Sequence, residues 1–228
     1  VSGIRALFFD VFGTLVDWRG SIAREVRRLG VDGEAFADAW RAEYQPAMED
    51  VRNGGRGFVK LDILHRENLD RILPRFGLEA MPDPERAELN LVWHRLDAWL
   101  DVPPALSRLR AGFRLAPMSN GNVSLMVDLA RHNGFVWDAI LGAEWARDYK
   151  PNLAVYQAGC AALDLPPEAC LMVAAHSSDL AAARLAGLKT AHIARPDEFG
   201  PGLGEVAPSV SVDFAARDLA HLAELVLP

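Results

Sequence analysis

Only two cysteines, Cys160 and Cys170, occur in 228 residues, and a chain of this length needs no disulfide to hold its core. They read as reduced, buried thiols. A nucleophilic cysteine would want a base nearby, and His176 is the histidine close to Cys170 in sequence. No apolar stretch approaches the ~18 residues of a membrane span. The apolar run Ile4 to Phe9 ends at an acid with no cleavage pattern behind it, so the expectation is a cytoplasmic protein with no membrane partner. Positive charge is also scarce: 24 Lys and Arg stand against 31 Asp and Glu, a net charge of −7. That balance argues against a broad phosphate-backbone footprint and hence against a nucleic-acid partner. Arg24, Arg27 and Arg28 are spaced as one solvated helix face. A small anionic substrate is still allowed, because one or two buried cations bind it whatever the total charge.

What is present is half hydrophobic and about a quarter charged, the balance of a globular chain. The length suggests one core domain with a smaller insertion. Ile4 to Phe9 is a short apolar and aromatic run that breaks into Asp10-Val11-Phe12-Gly13-Thr14, a buried strand entering a polar loop. Phe113 to Pro117 and Leu171 to Ala175 repeat the pattern, leading into Met118-Ser119-Asn120-Gly121 and His176-Ser177-Ser178-Asp179. Helical periodicity follows at Val123 to His132, Leu153 to Leu163 and Leu180 to Ala186, with a last strand near Thr190 to Ile193. Alternating strands and helices predict a doubly wound, Rossmann-like parallel α/β sheet.

Between Trp18 and Trp99 no strand-like run occurs. Amphipathic patterns instead cover Ile22 to Leu29, Phe36 to Val51, Val59 to Phe76 and Glu85 to Leu96. The expected organisation is an α/β core from residues 1–16 and 100–228, with a helical cap domain of residues 17–99 inserted after the first strand. Parallel strands end on one sheet edge, so Asp10, Ser119 and Asp179 should converge under the cap.

Asp10, followed by Gly13 for a tight turn and Thr14 for a hydroxyl, is a candidate nucleophile or a turn-capping acid. Lys150 before Pro151, itself suited to a helix's first turn, is a candidate partner cation or a surface lysine. Ser119 and Asn120 could donate to a substrate carboxylate or cap a helix. Asp179 could hold Lys150, orient water, or cap the helix beginning near Leu180.

The ordered motifs Asp10-Val11-Phe12-Gly13-Thr14-Leu15, Met118-Ser119-Asn120-Gly121, Tyr149-Lys150-Pro151 and His176-Ser177-Ser178-Asp179 resemble the haloacid dehalogenase superfamily. Within it the likeness is to the type II, or L-2-haloacid dehalogenase, branch. The resemblance covers nearly the whole chain, with 17–99 in the place of the family's helical cap. In the superfamily's phosphatases a second Asp, two residues after the nucleophile, serves the leaving group and Mg²⁺ is bound by carboxylates around it. Here that residue is Phe12. A halide needs no proton to leave, so Phe12 favours carbon–halogen cleavage. Ser178 beside Asp179 also argues against a metal, and no metal or other cofactor is expected.

The resemblance implies that Asp10 attacks C2 of a short (S)-2-haloacid, expels halide and forms an ester, which water hydrolyses to the (R)-2-hydroxyacid. Lys150 and Thr14 would hold the nucleophile, with Asp179 positioning Lys150. Ser119, Asn120 and the backbone at Val11 and Phe12 would receive the substrate carboxylate. Arg41, on a cap helix between Trp40 and Tyr44, matches the arginine that takes the halide, although Arg52 or Arg56 could reach instead. Tyr156 matches a tyrosine lining the site, and Trp18 and Phe58 are further candidates for its walls. Some members carry Ser-x-Asn where this chain has Ala174-Ala175-His176. His176 therefore stands in the Asn position, to assist the hydrolytic water or to bond nearby backbone. Haloacetate or fluoroacetate is a narrower substrate. The alternatives are a Mg²⁺-dependent phosphatase of the same superfamily and a catalytically silent binding protein. The family's habit of pairing through helices makes a homodimer a further expectation.

Overall fold

The computed structural model describes residues 3–227. β1 (Ala6–Phe9) is buried along its whole length. It leads through the Asp10 loop to the two-residue β2 (Val16–Asp17) and into α1 (Trp18–Val26). Helices α2 (Gly33–Ala42), α3 (Tyr44–Arg52), α4 (Leu61–Ile72) and α5 (Asp83–Asn90) complete a helical layer. β3 (Asp97–Ala98) then pairs antiparallel with β2. The sequence pattern predicts no strand inside 17–99, because two-residue strands are too short to leave an alternating signal. The ribbon pins the two ends of the insertion together. The run Phe36 to Val51, expected as one helix, is two. Pro46 offers no N–H to continue the ladder, and the Glu43 N–H closes α2 on the Trp40 and Arg41 carbonyls.

The chain then alternates through α6 (Val102–Leu109), β4 (Arg114–Ser119), α7 (Val123–Asn133), β5 (Leu141–Gly142), α8 (Ala143–Ala146) and α9 (Leu153–Ala162). It closes with β6 (Cys170–Ala174), α10 (Ser177–Leu185), β7 (Lys189–Ile193), β8 (Phe214–Ala216) and α11 (Leu219–Val226). The six-stranded sheet has the order β5-β4-β1-β6-β7-β8 and is parallel at every pairing. Numbered within the sheet, that is the doubly wound order 3-2-1-4-5-6, whose crossovers reverse direction between β1 and β6. β5 and β8 lie outside the predicted strands: one has two residues, and the other follows a Gly/Pro-rich excursion at 194–213 that masks it.

Period-two alternation along β1 feeds two cores. Leu7 and Phe9 pack with α6, α7 and α11, and that core continues into the helical layer. Ala6 and Phe8 pack with α9 and α10, where both free cysteines are buried. Polar ties fasten the layer to the sheet domain: Tyr149 Oη donates to the Val59 carbonyl (2.7 Å) and Lys60 pairs with Glu144 (2.9 Å). His94 bridges Asp62 (3.1 Å) and Asp128 (2.7 Å).

Candidate active site

At the reversal point, Asp10 leaves β1 with its N–H bonded to the Val173 carbonyl of β6 (3.0 Å). The loop folds back at once: the N–H groups of Leu15 and Val16 both reach the Val11 carbonyl. Gly13 has φ +86°, the left-handed region where glycine carries no penalty. A Cβ there would lie 2.0 Å from the Glu198 carboxylate, so this glycine is required twice over. The tight loop aims the Asp10 carboxylate into a cavity of about 610 Å³ between the sheet edge and the helical layer.

One Asp10 oxygen accepts from Lys150 Nζ (2.9 Å). The other accepts from Thr14 Oγ1 (2.7 Å) and lies 3.1 Å from His176 Nδ1. Thr14 is oriented in turn by the Ala175 N–H, which donates to its hydroxyl (2.8 Å). Burial alone would raise the Asp10 pKa, but Lys150, His176 and Thr14 together hold it far below the usual carboxylate range. Asp10 is thus a buried but ionised carboxylate. Lys150 is pulled down by burial and pushed above its ordinary value by Asp10 and Asp179, so it remains a cation. Asp179 holds it at 2.5 Å, and Tyr156 Oη donates to the other Asp179 oxygen (2.5 Å). The expected helix turn at Pro151 is instead a bend: the Lys150–Pro151 peptide is cis, the Asn152 N–H returns to the Tyr149 carbonyl (3.1 Å), and α9 starts only at Leu153.

Phe12 is buried and meets Trp93, His65 and Tyr44 edge-on, with centroids 5.5, 6.2 and 6.3 Å away. His65 stacks on Trp93 at 4.0 Å, and its ring is driven by burial down to a pKa of about 3, hence neutral. Arg41 lies over the Tyr44 ring (4.0 Å) and near Trp18 (5.4 Å). Its Nη1 is buried and has no hydrogen-bond partner among the described residues, a donor available to an anion. Of the two alternatives, Arg56 is turned away onto Glu67 (2.8 Å), whereas Arg52 reaches the cavity but donates to the Lys150 carbonyl (3.0 Å).

Asp10, Phe12, Arg41, Asn120, Lys150, Tyr156, His176 and Asp179 therefore all face one cavity. Thr14, Ser119 and Val11 are buried just behind it. Ser119 Oγ accepts the Gly121 N–H (3.0 Å), and Asn120 Oδ1 accepts the Lys150 N–H (2.9 Å), so both shape the loop. The backbone N–H groups of Val11, Phe12 and Asn120 donate to no backbone carbonyl among the described residues. Trp18 touches Arg41 and Phe58 packs on Tyr149, but neither is in the cavity wall.

Three residues of the 194–213 excursion carry no signal in the sequence: Phe199 and Glu205, which line the cavity, and Glu198, which is buried behind His176. Glu198 is buried and bonds His176 Nε2 (2.8 Å) and Trp18 Nε1 (3.2 Å). Glu205 receives the Ser177 hydroxyl and N–H. A polar, Gly/Pro-rich loop carries no periodic signal, and nothing in its spacing separates a buried acid from a solvated one. Between Asp10 and Glu198, His176 is lowered by burial but raised more by the two acids, to a pKa of about 10.

A strand-end carboxylate with a fixed lysine at a doubly wound sheet's reversal point defines a hydrolase of the haloacid dehalogenase type. The profile of the haloacid dehalogenase-like hydrolases matches residues 4–187, and the chain belongs to that family. It is 30% identical over 202 residues to (S)-2-haloacid dehalogenase 1 of Pseudomonas sp. strain CBS-3, covering 86% of this chain and 88% of that protein. Among solved structures it is similar to a defluorinating L-2-haloacid dehalogenase (TM-score 0.95, 43% identity, 99% of this chain and 96% of that one). A second L-2-haloacid dehalogenase superposes with TM-score 0.94 at 44% identity, covering 98% of this chain and 100% of the other.

Proposed function

We propose that this chain hydrolyses the carbon–halogen bond of short (S)-2-haloacids to give (R)-2-hydroxyacids. The observation that carries the reading is Asp10, paired with Lys150 at 2.9 Å and with Thr14 at 2.7 Å, beside Phe12, a buried aromatic ring at the place where a phosphatase of this family needs a proton donor. A halide leaves without a proton, so the apolar neighbour costs the reaction nothing. It is supported by the (S)-2-haloacid and L-2-haloacid dehalogenases to which the chain is similar.

In this reading the substrate carboxylate sits on the N–H groups of Val11, Phe12 and Asn120, with Ser119 bracing the Asn120 loop. An Asp10 oxygen attacks C2 in line, the carbon–halogen bond breaks with its electron pair on the halide, and an aspartyl ester forms with inversion at C2. Arg41, with its unpartnered Nη1, receives the halide. Water then adds to the ester carbonyl carbon, and the hydroxyacid departs with its C2–O bond intact. Lys150 and Thr14 keep Asp10 oriented; Asp179 and Tyr156 keep Lys150 in place. The helical segment 17–99 acts as a cap that limits water around the nucleophile.

Acceptance of fluoride as leaving group extends the proposal. It is supported by the defluorinating neighbour and by the charged, unsatisfied donor of Arg41, since small fluoride gains most from a strong hydrogen bond. The test is halide release from each enantiomer of 2-chloropropionate and from fluoroacetate, with Asp10→Asn as control. Chloride from the (S) form only, abolished by the substitution, is the expected result. Equal silence of both proteins would overturn the reading.

A further inference from the structure

Glu198 is a buried acid with no part in the steps given above. Glu198 reaches across from the excursion at 194–213, presses on Gly13, and binds His176 Nε2 at 2.8 and 3.0 Å. The other ring nitrogen, Nδ1, faces Asp10 Oδ2 at 3.1 Å. The imidazole is thus strung between the nucleophile and a second carboxylate, with about a fifth of its side chain open to the cavity.

We propose that Glu198 and His176 form a base that is switched on by ester formation: His176 is the catalytic residue that activates the hydrolytic water, and Glu198 positions it. The inference rests on the dehalogenase reading above. In the free enzyme both ring nitrogens face carboxylates, so both carry protons, and His176 cannot act as a base. Alkylation of Asp10 converts its carboxylate to a neutral ester. One of the two charges that hold the proton on the ring disappears, and the Nδ1 proton is released to solvent along with the halide.

Glu198 keeps the Nε2–H, so the neutral ring has one available tautomer, with its lone pair on Nδ1 aimed at the ester. Water adding to the ester carbonyl gives its proton to Nδ1. The protonated ring then hands that proton to the departing alkoxide. The regenerated Asp10 carboxyl returns its own proton to Nδ1, restoring the starting pair. The net change is haloacid plus water to hydroxyacid, halide and one proton, with no other reactant required.

The surroundings are consistent with a histidine governed by these two acids. Lys150 faces Asp10 from the other side, and Asp179 is engaged by Lys150 and Tyr156. Glu205 is taken up by Ser177, while His192 lies 3.6 Å from Glu205. Arg41 of the helical layer stacks on Tyr44. Asp10 and Glu198 are the acids that touch the ring. Burial lowers the His176 pKa, but these two acids raise it to about 10 in the free enzyme, and loss of one must bring it down.

The experiment is rapid-mix single turnover with (S)-2-chloropropionate, reading halide, hydroxyacid and the mass of the Asp10 peptide. His176→Gln should release one halide per site, retain the ester on Asp10, and lose turnover by about 100-fold or more, the usual range for a removed base. Glu198→Gln should slow ester hydrolysis about tenfold and move the acidic limb of its pH profile to lower pH, because the remaining counter-charge is gone. A merely structural Glu198 would leave that limb in place. Turnover of His176→Gln at the wild-type rate overturns the proposal. So does a loss of halide burst equal to its loss of turnover at unchanged melting temperature. If His176→Gln does not fold, an unmoved limb in Glu198→Gln overturns it instead. A wild-type protein that releases no halide fails earlier, at the dehalogenase reading itself.

Discussion

Asp179 Oδ2 stands 2.5 Å from Lys150 Nζ, and the same ammonium reaches Asp10 at 2.9 Å. One buried cation therefore serves two buried carboxylates, and its loss would leave Asp179 without a counter-charge and Asp10 with His176 alone. Lys150→Met should cost about 3–5 kcal/mol of stability, as expected when one partner of a buried ion pair is removed. It should also abolish halide release. Asp179→Asn keeps a hydrogen-bonding side chain but halves the negative charge around Lys150. A loss of about 10- to 100-fold in kcat with a smaller loss of stability is expected. Urea denaturation and steady-state kinetics on both variants provide the check; full activity of Asp179→Asn would remove Asp179 from the machinery.

The apolar setting of Phe12 makes a specific forecast for Phe12→Asp, the substitution that recreates the phosphatase pattern. The ring sits against Trp93, His65 and Tyr44, and a carboxylate there would meet aromatic edges and the Asp10 charge. The cost should be about 3–5 kcal/mol, the range for truncating a buried aromatic, increased by unpaired charge. Phosphate-ester hydrolysis should remain undetectable with Mg²⁺ present, because one acid does not supply the surrounding polar shell. Appearance of phosphatase activity at good stability would show that Phe12 by itself sets the chemistry.

How much of this is readable from the chain depends on distance along it. Asp10 and Asp179 each follow a strong apolar run, so parallel-sheet geometry alone brings them together, whereas Lys150 follows a charged segment and is picked out by the motif Tyr149-Lys150-Pro151; all three share one cavity. Arg41 is picked out through family resemblance, and its cavity-facing position between Tyr44 and Trp18 emerges only from the helix break at Glu43. Glu198 is illegible: its partners are 22 and 180 residues away, and its loop has no periodicity to betray burial. His65 is equally hidden, since a histidine within an amphipathic helix pattern looks the same whether it faces solvent or Trp93.

Arg41 offers a planar, always charged group held flat by Tyr44 at 4.0 Å, and lysine supplies charge without that plane. Arg41→Lys should therefore lower kcat/KM for (S)-2-chloropropionate by about 100-fold, equivalent to about 2.7 kcal/mol of lost transition-state stabilisation. The loss should be greater for fluoroacetate, whose leaving group depends most on directed donors. Product inhibition by chloride should weaken in parallel. Kinetics with both substrates and a chloride titration test this. An unchanged chloride inhibition constant would place the halide elsewhere, with Arg52, the other arginine in the cavity wall, the next residue to replace.

Stability should peak near pH 6.5, because two histidines pull in opposite directions. His65 has its pKa depressed by burial to about 3. Between pH 3 and 6.5 the unfolded chain binds a proton there that the folded protein refuses, so stability falls as pH drops through that window. His176 is raised to about 10 by Asp10 and Glu198, against the opposing effect of burial. Its contribution is fully present below pH 6.5 and is lost as pH climbs toward 10, where the folded state gives up its proton last. His94, raised by Asp62 and Asp128 despite burial, adds to the same alkaline decline. A tenfold change in proton affinity is worth about 1.4 kcal/mol, so the His65 limb spans on the order of 5 kcal/mol. The His176 limb is smaller, because its side chain is partly solvated. Melting curves from pH 4.5 to 9.5 should show the dome. His65→Phe, which keeps a ring against Trp93 and deletes nitrogens that have no hydrogen-bond partner among the described residues, should flatten its acid side and leave the alkaline side intact. An acid limb unaffected by that substitution would mean that carboxylate protonation, as at Asp10 and Asp62, governs the acid side instead.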